Sequence, residues 1–245
     1  MLNFSTALRV VVVGANSGVA TQLIKSLVGQ EEVSEIWICT RKPPNIQHEK
    51  IRHSYVDIED EEQVKSWAAE LKQAKFTPNL IVNCLGILHT DAFGPEKTWR
   101  QLDYAVMQKV FAINAFAVPM LGKYLIPLIP RDERAVFVSF SARVGSIGDN
   151  RLGGWYSYRA SKTAHNMFVK TLSIEAKLKY PQFCIVAYHP GTVDTKLSKP
   201  FTKRYPPEKL FSPERAVQEL CAVISKLSPE DSGAFFAWDG SRVVY

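Results

Sequence analysis

The chain has 245 residues, 46% hydrophobic and 22% charged, with a formal net charge of +6. That length suits one large α/β domain, and its Lys and Arg residues are scattered, with no basic run or reader motif that would make nucleic acid a partner. The apolar stretches at 110–121 and 135–138 are too short or too interrupted to span a bilayer, so no membrane is expected.

In chain order, residues 9–13 read as a buried strand, followed by a glycine turn and a helix over 17–28. Strands follow at 35–39 and 52–56, then a helix over 61–74 with Val64, Trp67, Ala68 and Leu71 on one stripe. Residues 80–82 form the next strand, and a long helix over 104–128 is expected to kink or restart near Pro119. A strand at 135–140, a helix over 155–178, a strand at 183–188, a helix over 213–227 and a strand at 234–237 complete the series. This alternation predicts an α/β fold: one domain over 1–245, a doubly wound parallel sheet with helices on both faces. Only 195–211, with Pro200, Pro206 and Pro207, interrupts it, and reads as a substrate flap. The four cysteines, Cys39, Cys84, Cys184 and Cys221, show no C-x-x-C spacing, and no charged region precedes a long apolar run in residues 1–6. Both observations predict reduced packing thiols in a cytoplasmic protein.

Two stretches carry chemistry. Gly14-Ala15-Asn16-Ser17-Gly18-Val19-Ala20 joins the first strand to the first helix. Glycines there let the backbone turn sharply and approach a phosphate at the helix N-terminus. The second strand ends in Cys39-Thr40-Arg41-Lys42, with no acid for ribose hydroxyls. Arg41 suits a 2′-phosphate, which favours NADP(H) over NAD(H); the alternative is a solvated basic loop.

The second stretch is Ser157-Tyr158-Arg159-Ala160-Ser161-Lys162. A spacing of four stacks phenol and ammonium on one helical face. At about 4 Å and an effective dielectric near 20, a unit charge is worth roughly 4 kcal/mol, about three pKa units. The phenol is therefore expected to fall toward neutrality and to exchange protons at physiological pH. A second pair at that spacing, Tyr205 with Lys209, contains Pro206 and Pro207 and is not expected on a helical face.

Taken in order, these residues resemble the short-chain dehydrogenase/reductase superfamily in its single-domain branch, over essentially the whole chain. Gly14 and Gly18, with Asn16, Ser17 and Val19, resemble its cofactor loop; Asp57 its residue at the adenine; Asn83-Cys84-Leu85-Gly86 its element after the fourth strand. Asn114, Ser141, Tyr158 and Lys162 resemble its catalytic residues, and Pro190-Gly191-Thr192-Val193 with Thr195 its nicotinamide-side segment. The stretch from Gly145-Ser146-Ile147 to Gly153-Gly154-Trp155-Tyr156 is similar to the C-factor-like group.

The resemblance implies a Rossmann fold, a small carbonyl or alcohol substrate, no metal, and a homodimer or homotetramer. It further implies that Tyr158 donates the proton, Ser141 orients the substrate oxygen, and Lys162 depresses the phenol and holds the nicotinamide ribose. Asn114 would carry a water linking the lysine to solvent. Ser139, which shares a strand face with Ser141, and nearby Ser146 remain alternatives for the serine. The family's third loop glycine is Ala20 here, and its Asn-Asn pair is Asn83-Cys84. His189 is expected to make a structural hydrogen bond. Arg143, Asp149, Asn150 and Arg151 either rim the substrate site or form a solvated loop. Trp155 and Tyr156 suit the pocket or a subunit contact, and Phe201 and Tyr205 suit either a substrate cover or loop packing. Oxidoreduction is the leading function; a dinucleotide-binding signalling protein with little turnover is the alternative.

Overall fold

A computed structural model describes residues 2, 4–44, 46–203 and 205–245. The strands are β1 (Leu8–Val13), β2 (Val33–Thr40), β3 (Ile51–Tyr55), β4 (Leu80–Asn83), β5 (Ala135–Phe140), β6 (Phe183–His189), β7 (Thr192–Val193), β8 (Leu210–Phe211) and β9 (Phe235–Ala237). The helices are α1 (Gly18–Val28), α2 (Glu61–Gln73), α3 (Tyr104–Phe111), α4 (Ala117–Leu125), α5 (Tyr156–Lys177) and α6 (Pro213–Lys226).

Seven strands pair in the order β3-β2-β1-β4-β5-β6-β9, all parallel. Because both faces are covered, β1 reads Leu-Arg-Val-Val-Val-Val rather than alternating apolar and polar residues. Its side chains still alternate: Val10 and Val12 pack with α1 and α6, while Val11 and Val13 pack with α2, α4 and α5. The stripe on α2 is buried as expected, at Val64, Trp67, Ala68 and Leu71. Side-chain caps start several helices where the sequence offers a Ser or Asp: Ser17 on α1, Asp60 on α2, Ser212 on α6.

The chain winds outward in one direction through β1, β2 and β3 and in the other through β4, β5, β6 and β9. The reversal between β1 and β4 opens a crevice at the carboxyl ends of the strands, where ligands of such sheets bind. Excursion 195–211 closes on the two-stranded pair β7–β8, which periodicity did not predict because each strand has only two residues.

The long helix does not break at Pro119. It runs as α3, a π-helical turn over Ala112–Phe116, then α4. The amide of Ala117 bonds to Ala112 O, five residues back. In that register the carbonyl of Asn114 would pair with residue 119, and proline has no N–H to give. The irregularity therefore falls where the missing donor is felt. The run Tyr104–Leu128 is long and apolar enough to cross a membrane by composition, but half of its apolar window is buried. α4 packs between α2 and α5.

Candidate active site

At the crevice, β1 ends in Gly14, whose φ of +74° would strain any side chain. A Cβ built on Gly14 would lie 3.2 Å from Leu85 N and 3.3 Å from Cys84 C, so the loop lies against the segment after β4. One on Gly18 would meet Thr195 Cγ2 at 2.9 Å. The glycine loop and the 190–195 segment, far apart in sequence, thus face each other closely. Ser17 Oγ accepts from Ala20 N at 3.2 Å, and the first-turn amides of Gly18 and Val19 have no carbonyl partner within the helix. A Cβ on Gly86 would sit 3.7 Å from Lys162 Nζ and 3.9 Å from Asn114 Oδ1. A cleft of about 500 Å³ runs from Gly14 and Asn16 past Arg41, Ile58, Leu85 and Ile113. These cradles fit an extended dinucleotide. Sequence reasoning missed Ile58 and Ile113, because an apolar wall has no motif.

At the far end of the cleft, Arg41 Nη1 lies 3.7 Å from Glu59 Oε1 and 4.0 Å from Asp57 Oδ2. Both pairs are long and exposed, and such pairs hold a side chain weakly. Glu59 is already bound by Lys109 Nζ at 2.6 Å. Asp57 closes a local turn through Glu59 N at 3.1 Å.

At the other end, α5 begins in an unusual way. Gly153, Gly154 and Trp155 are left-handed in succession, with φ of 62°, 63° and 52°. For a bulky residue this costs on the order of 1–3 kcal/mol. Trp155 supplies no side-chain cap. The buried Glu96, from the loop after β4, does so instead. Its carbonyl accepts from Trp155 N at 2.5 Å, and its carboxylate accepts from Ser157 N at 3.2 Å and from the Ser157 hydroxyl. A carboxylate is favoured there by the positive end of the helix.

Tyr158, Lys162 and Asn166 follow at intervals of four, on one buried face of α5. Lys162 Nζ donates to Phe140 O at 2.7 Å. Ser141 Oγ donates to Asn166 Oδ1 at 2.6 Å. These two bonds fasten α5 to the end of β5. A hydroxyl has one proton, and in this structure that of Ser141 is engaged by Asn166, two helical turns from Tyr158. The alternatives differ in that their oxygens accept: Ser139 Oγ from Asn83 Nδ2 at 2.9 Å, and Ser146 Oγ from Asp149 N at 3.2 Å. Asn83 is a structural amide, its Oδ1 accepting from Leu85 N at 3.1 Å.

The side chain of Asn114 is anchored at both its ends. Its Oδ1 accepts from Ile87 N at 2.7 Å, and its Nδ2 donates to Ile87 O at 2.9 Å and Ser161 Oγ at 3.1 Å. The carbonyl orphaned by Pro119 accepts from His165 Nδ1 at 2.9 Å. Asn114 is a clamp joining the segment after β4 to α5. A carbonyl only accepts, so Nδ1 carries the imidazole proton. Burial, with the Lys162 charge adding to it, pushes His165 down to about 3, and its Nε2 has no partner among the described residues.

The electrostatics reverse the expectation for Tyr158. Burial pushes the phenol up to about 12 and Lys162 down to about 7. Lys162 Nζ is 6.0 Å from the centre of the Tyr158 ring. Coulomb attraction falls with distance and acts only while the amine is charged, so desolvation outweighs it for both groups. The resting pair is a neutral phenol beside an amine poised near half-protonation. Cys39 is pushed up to about 12 and Cys84 is raised as well, both by burial, which makes them inert thiols.

The remaining candidates divide. Arg143 Nε bonds Asp149 Oδ2 at 2.6 Å on the surface, as in the solvated-loop reading. His189 Nδ1 is buried without a partner among the described residues, so the structural hydrogen bond expected of His189 is not made by that nitrogen. Tyr205 and Lys209 share no helix; Tyr205 OH accepts from Thr192 Oγ1 at 3.1 Å. No group of three or more metal-ligating side chains occurs among the described residues.

Residues 9–206 match a family model described as short chain dehydrogenase. The chain is 30% identical over 233 residues to 1-hydroxy-2-glutathionyl-2-methyl-3-butene dehydrogenase of Rhodococcus sp. (strain AD45), spanning 95% of this chain and 97% of that protein. It is 32% identical over 173 residues to the C-signal protein of Myxococcus xanthus, spanning 69% of this chain and 98% of that one. Among solved structures, an NADPH-bound carbonyl reductase from chicken fatty liver superposes with a TM-score of 0.85 at 23% identity, covering 99% of this chain and 96% of that one. At that identity the likeness speaks for the fold.

Proposed function

The chain belongs to the short chain dehydrogenase family, and from that premise we propose that it reduces a carbonyl, or oxidises the corresponding alcohol, using NADP(H) and Tyr158 as the proton donor. The observation that carries this reading is the buried Tyr158–Lys162 face of α5, adjoining a glycine-cradled cleft at the switch point of the sheet.

A nicotinamide dinucleotide supplies the hydride when bound. Gly14, Asn16, Ser17, Gly18 and Val19 would hold its phosphates, Arg41 and Asp57 the adenosine end, and Asn83 and Gly86 the middle of the groove. Pro190, Gly191, Val193 and Thr195 would hold the nicotinamide side, with Tyr158 and Lys162 at the ribose. Tyr158, still protonated at neutral pH, gives its proton to the substrate oxygen; an alkoxide is a stronger base than a phenolate, so the transfer runs downhill. The phenolate so formed is stabilised by a proton on Lys162, which a pKa of about 7 makes available. Ser141 acts at one remove, fastening β5 to α5 through Asn166. Exposed Tyr104, Phe116, Met167 and Ile174 on the two long helical segments support pairing of subunits. The unpaired cysteines support a cytoplasmic, reducing location.

Tyr158→Phe tests the reading. Turnover should fall by about 100-fold to 10,000-fold while nucleotide binding persists. Activity retained on a reactive dicarbonyl would remove Tyr158 as the acid. The likeness to the C-signal protein favours a binding-only role in one circumstance: tight nucleotide binding by the unaltered protein with no turnover on aldehydes, ketones or quinones.

A further inference from the structure

Four aromatic rings stand in file outward from the proposed proton donor. Tyr158 meets Trp155 edge-to-face at 6.2 Å, Trp155 meets Phe201 at 5.2 Å, and Phe201 meets His89 at 5.6 Å. They come from the start of α5, the 195–211 flap and the loop after β4. His89 Nε2 lies 3.1 Å from Leu197 O, which ties that loop to the flap.

Trp155 is the unusual member. A glycine would take its left-handed backbone without strain, as Gly153 and Gly154 do immediately before it. The strained residue is instead held by Glu96, which binds the amides of Trp155 and Ser157. The backbone gains nothing from an indole at that point; the neighbouring phenol does. Phe201, although packed edge-on against the indole, remains 37% exposed, and Trp155 is only half-buried. Both rings therefore keep apolar surface that a ligand can cover, within one ring of the Tyr158 phenol.

We propose that Trp155, with Phe201 as its cover, forms the substrate subsite beside Tyr158 and selects carbonyl compounds bearing a planar aromatic ring next to the reacting C=O. This rests on the oxidoreductase reading: the carbonyl carbon takes the hydride, the oxygen takes the Tyr158 proton, and the product is the aryl carbinol. Edge-to-face contacts favour a flat ring over a saturated group of equal size, by a factor of several up to about tenfold.

The test compares phenylglyoxal with cyclohexylglyoxal, which match in size and in reacting group but differ in planarity. For the unaltered protein and for Trp155→Leu and Phe201→Leu, the ratio of kcat/KM for the two compounds is measured with NADPH and with NADH. The ratio should fall by about fivefold to tenfold in each variant. Phe201 lies on the exposed flap, so its variant decides the matter if Trp155→Leu does not fold. A ratio unchanged within about twofold in every folded variant, or reduction of other carbonyls but of neither glyoxal, overturns the subsite and leaves the oxidoreductase reading standing. No reduction of any carbonyl overturns both.

Discussion

Replacing Gly145 with Ala probes the joint on which the proposed chemistry depends. Gly145 ends the short turn after β5, with its Cα against the backbone of α5. A Cβ there would lie 2.8 Å from Lys162 C, 2.8 Å from Lys162 Cβ and 3.0 Å from Lys162 O. Ordinary contact begins near 3.4 Å, so the turn and the helix must separate by about 0.6 Å. No flexible side-chain tip can yield in their place. Five bonds cross this joint: Lys162 Nζ to Phe140 O, Ser141 Oγ to Asn166 Oδ1, Thr163 Oγ1 to Gly145 O, Arg159 Nη1 to Val144 O, and Asn166 Nδ2 to Gly145 O, the last already 3.5 Å long. Overpacking of this kind costs about 1–3 kcal/mol, and for a chain of this size each kcal/mol is worth about 2–4 °C in Tm. A fall of about 2–12 °C is expected. Turnover should drop about tenfold or more, because sub-ångström misplacement of a reacting group is costly. The control is Gly94→Ala, whose added Cβ would meet nothing within 4 Å; its Tm should stay within about 1 °C. Thermal melts and initial rates on the two variants decide the point. If Gly145→Ala melts and turns over like Gly94→Ala, the close packing of turn on helix is not what positions Tyr158 and Lys162.

Lys162 makes stability depend on pH in a defined direction. Its pKa is about 7 in the folded protein against the ordinary 10.5, so between those values the unfolded chain binds a proton that the folded one does not. The Lys162 contribution to stability therefore rises with pH across that window. In melts without nucleotide, Lys162→Met should be stabilised relative to the unaltered protein at pH 7, with a gap that narrows toward pH 9.5; a constant gap would mean that the lysine is not desolvated. Arg41→Ala should weaken NADPH by about tenfold to a hundredfold, the worth of a charge-assisted contact, and NADH far less, because Asp57 and Glu59 would then face the phosphate without a counter-charge. Titration of both nucleotides checks this, and equal losses would remove the 2′-phosphate contact.

Much of the architecture was legible before folding because its signals are local. Four consecutive valines in β1, the stripe on α2 and the Ser or Asp before α1, α2 and α6 each state a period or a cap that needs no partner to be read. The glycine loop was equally legible, since a left-handed Gly14 between strand and helix has few other uses. What was not legible shares a cause. Spacing put Ser141 near the chemistry, yet which atom receives its proton depends on Asn166, 25 residues onward on another element. Proline rules located the break at residue 119, whereas the π register moved it to 112–116, and His165 then answered the orphaned carbonyl.

The pKa pattern completes this division. That Tyr158 and Lys162 share a helical face follows from their spacing of four, whatever surrounds them. That one rises and the other falls follows from water being excluded around both, and exclusion of water belongs to the assembled layers rather than to any segment. The sequence by itself determined the alternation of strands and helices, the glycine turn after β1 and the shared helical face of Tyr158 and Lys162. Only the tertiary structure decided their protonation, their hydrogen-bond partners, and the strained indole beside the phenol, because each of these depends on groups brought together from distant parts of the chain.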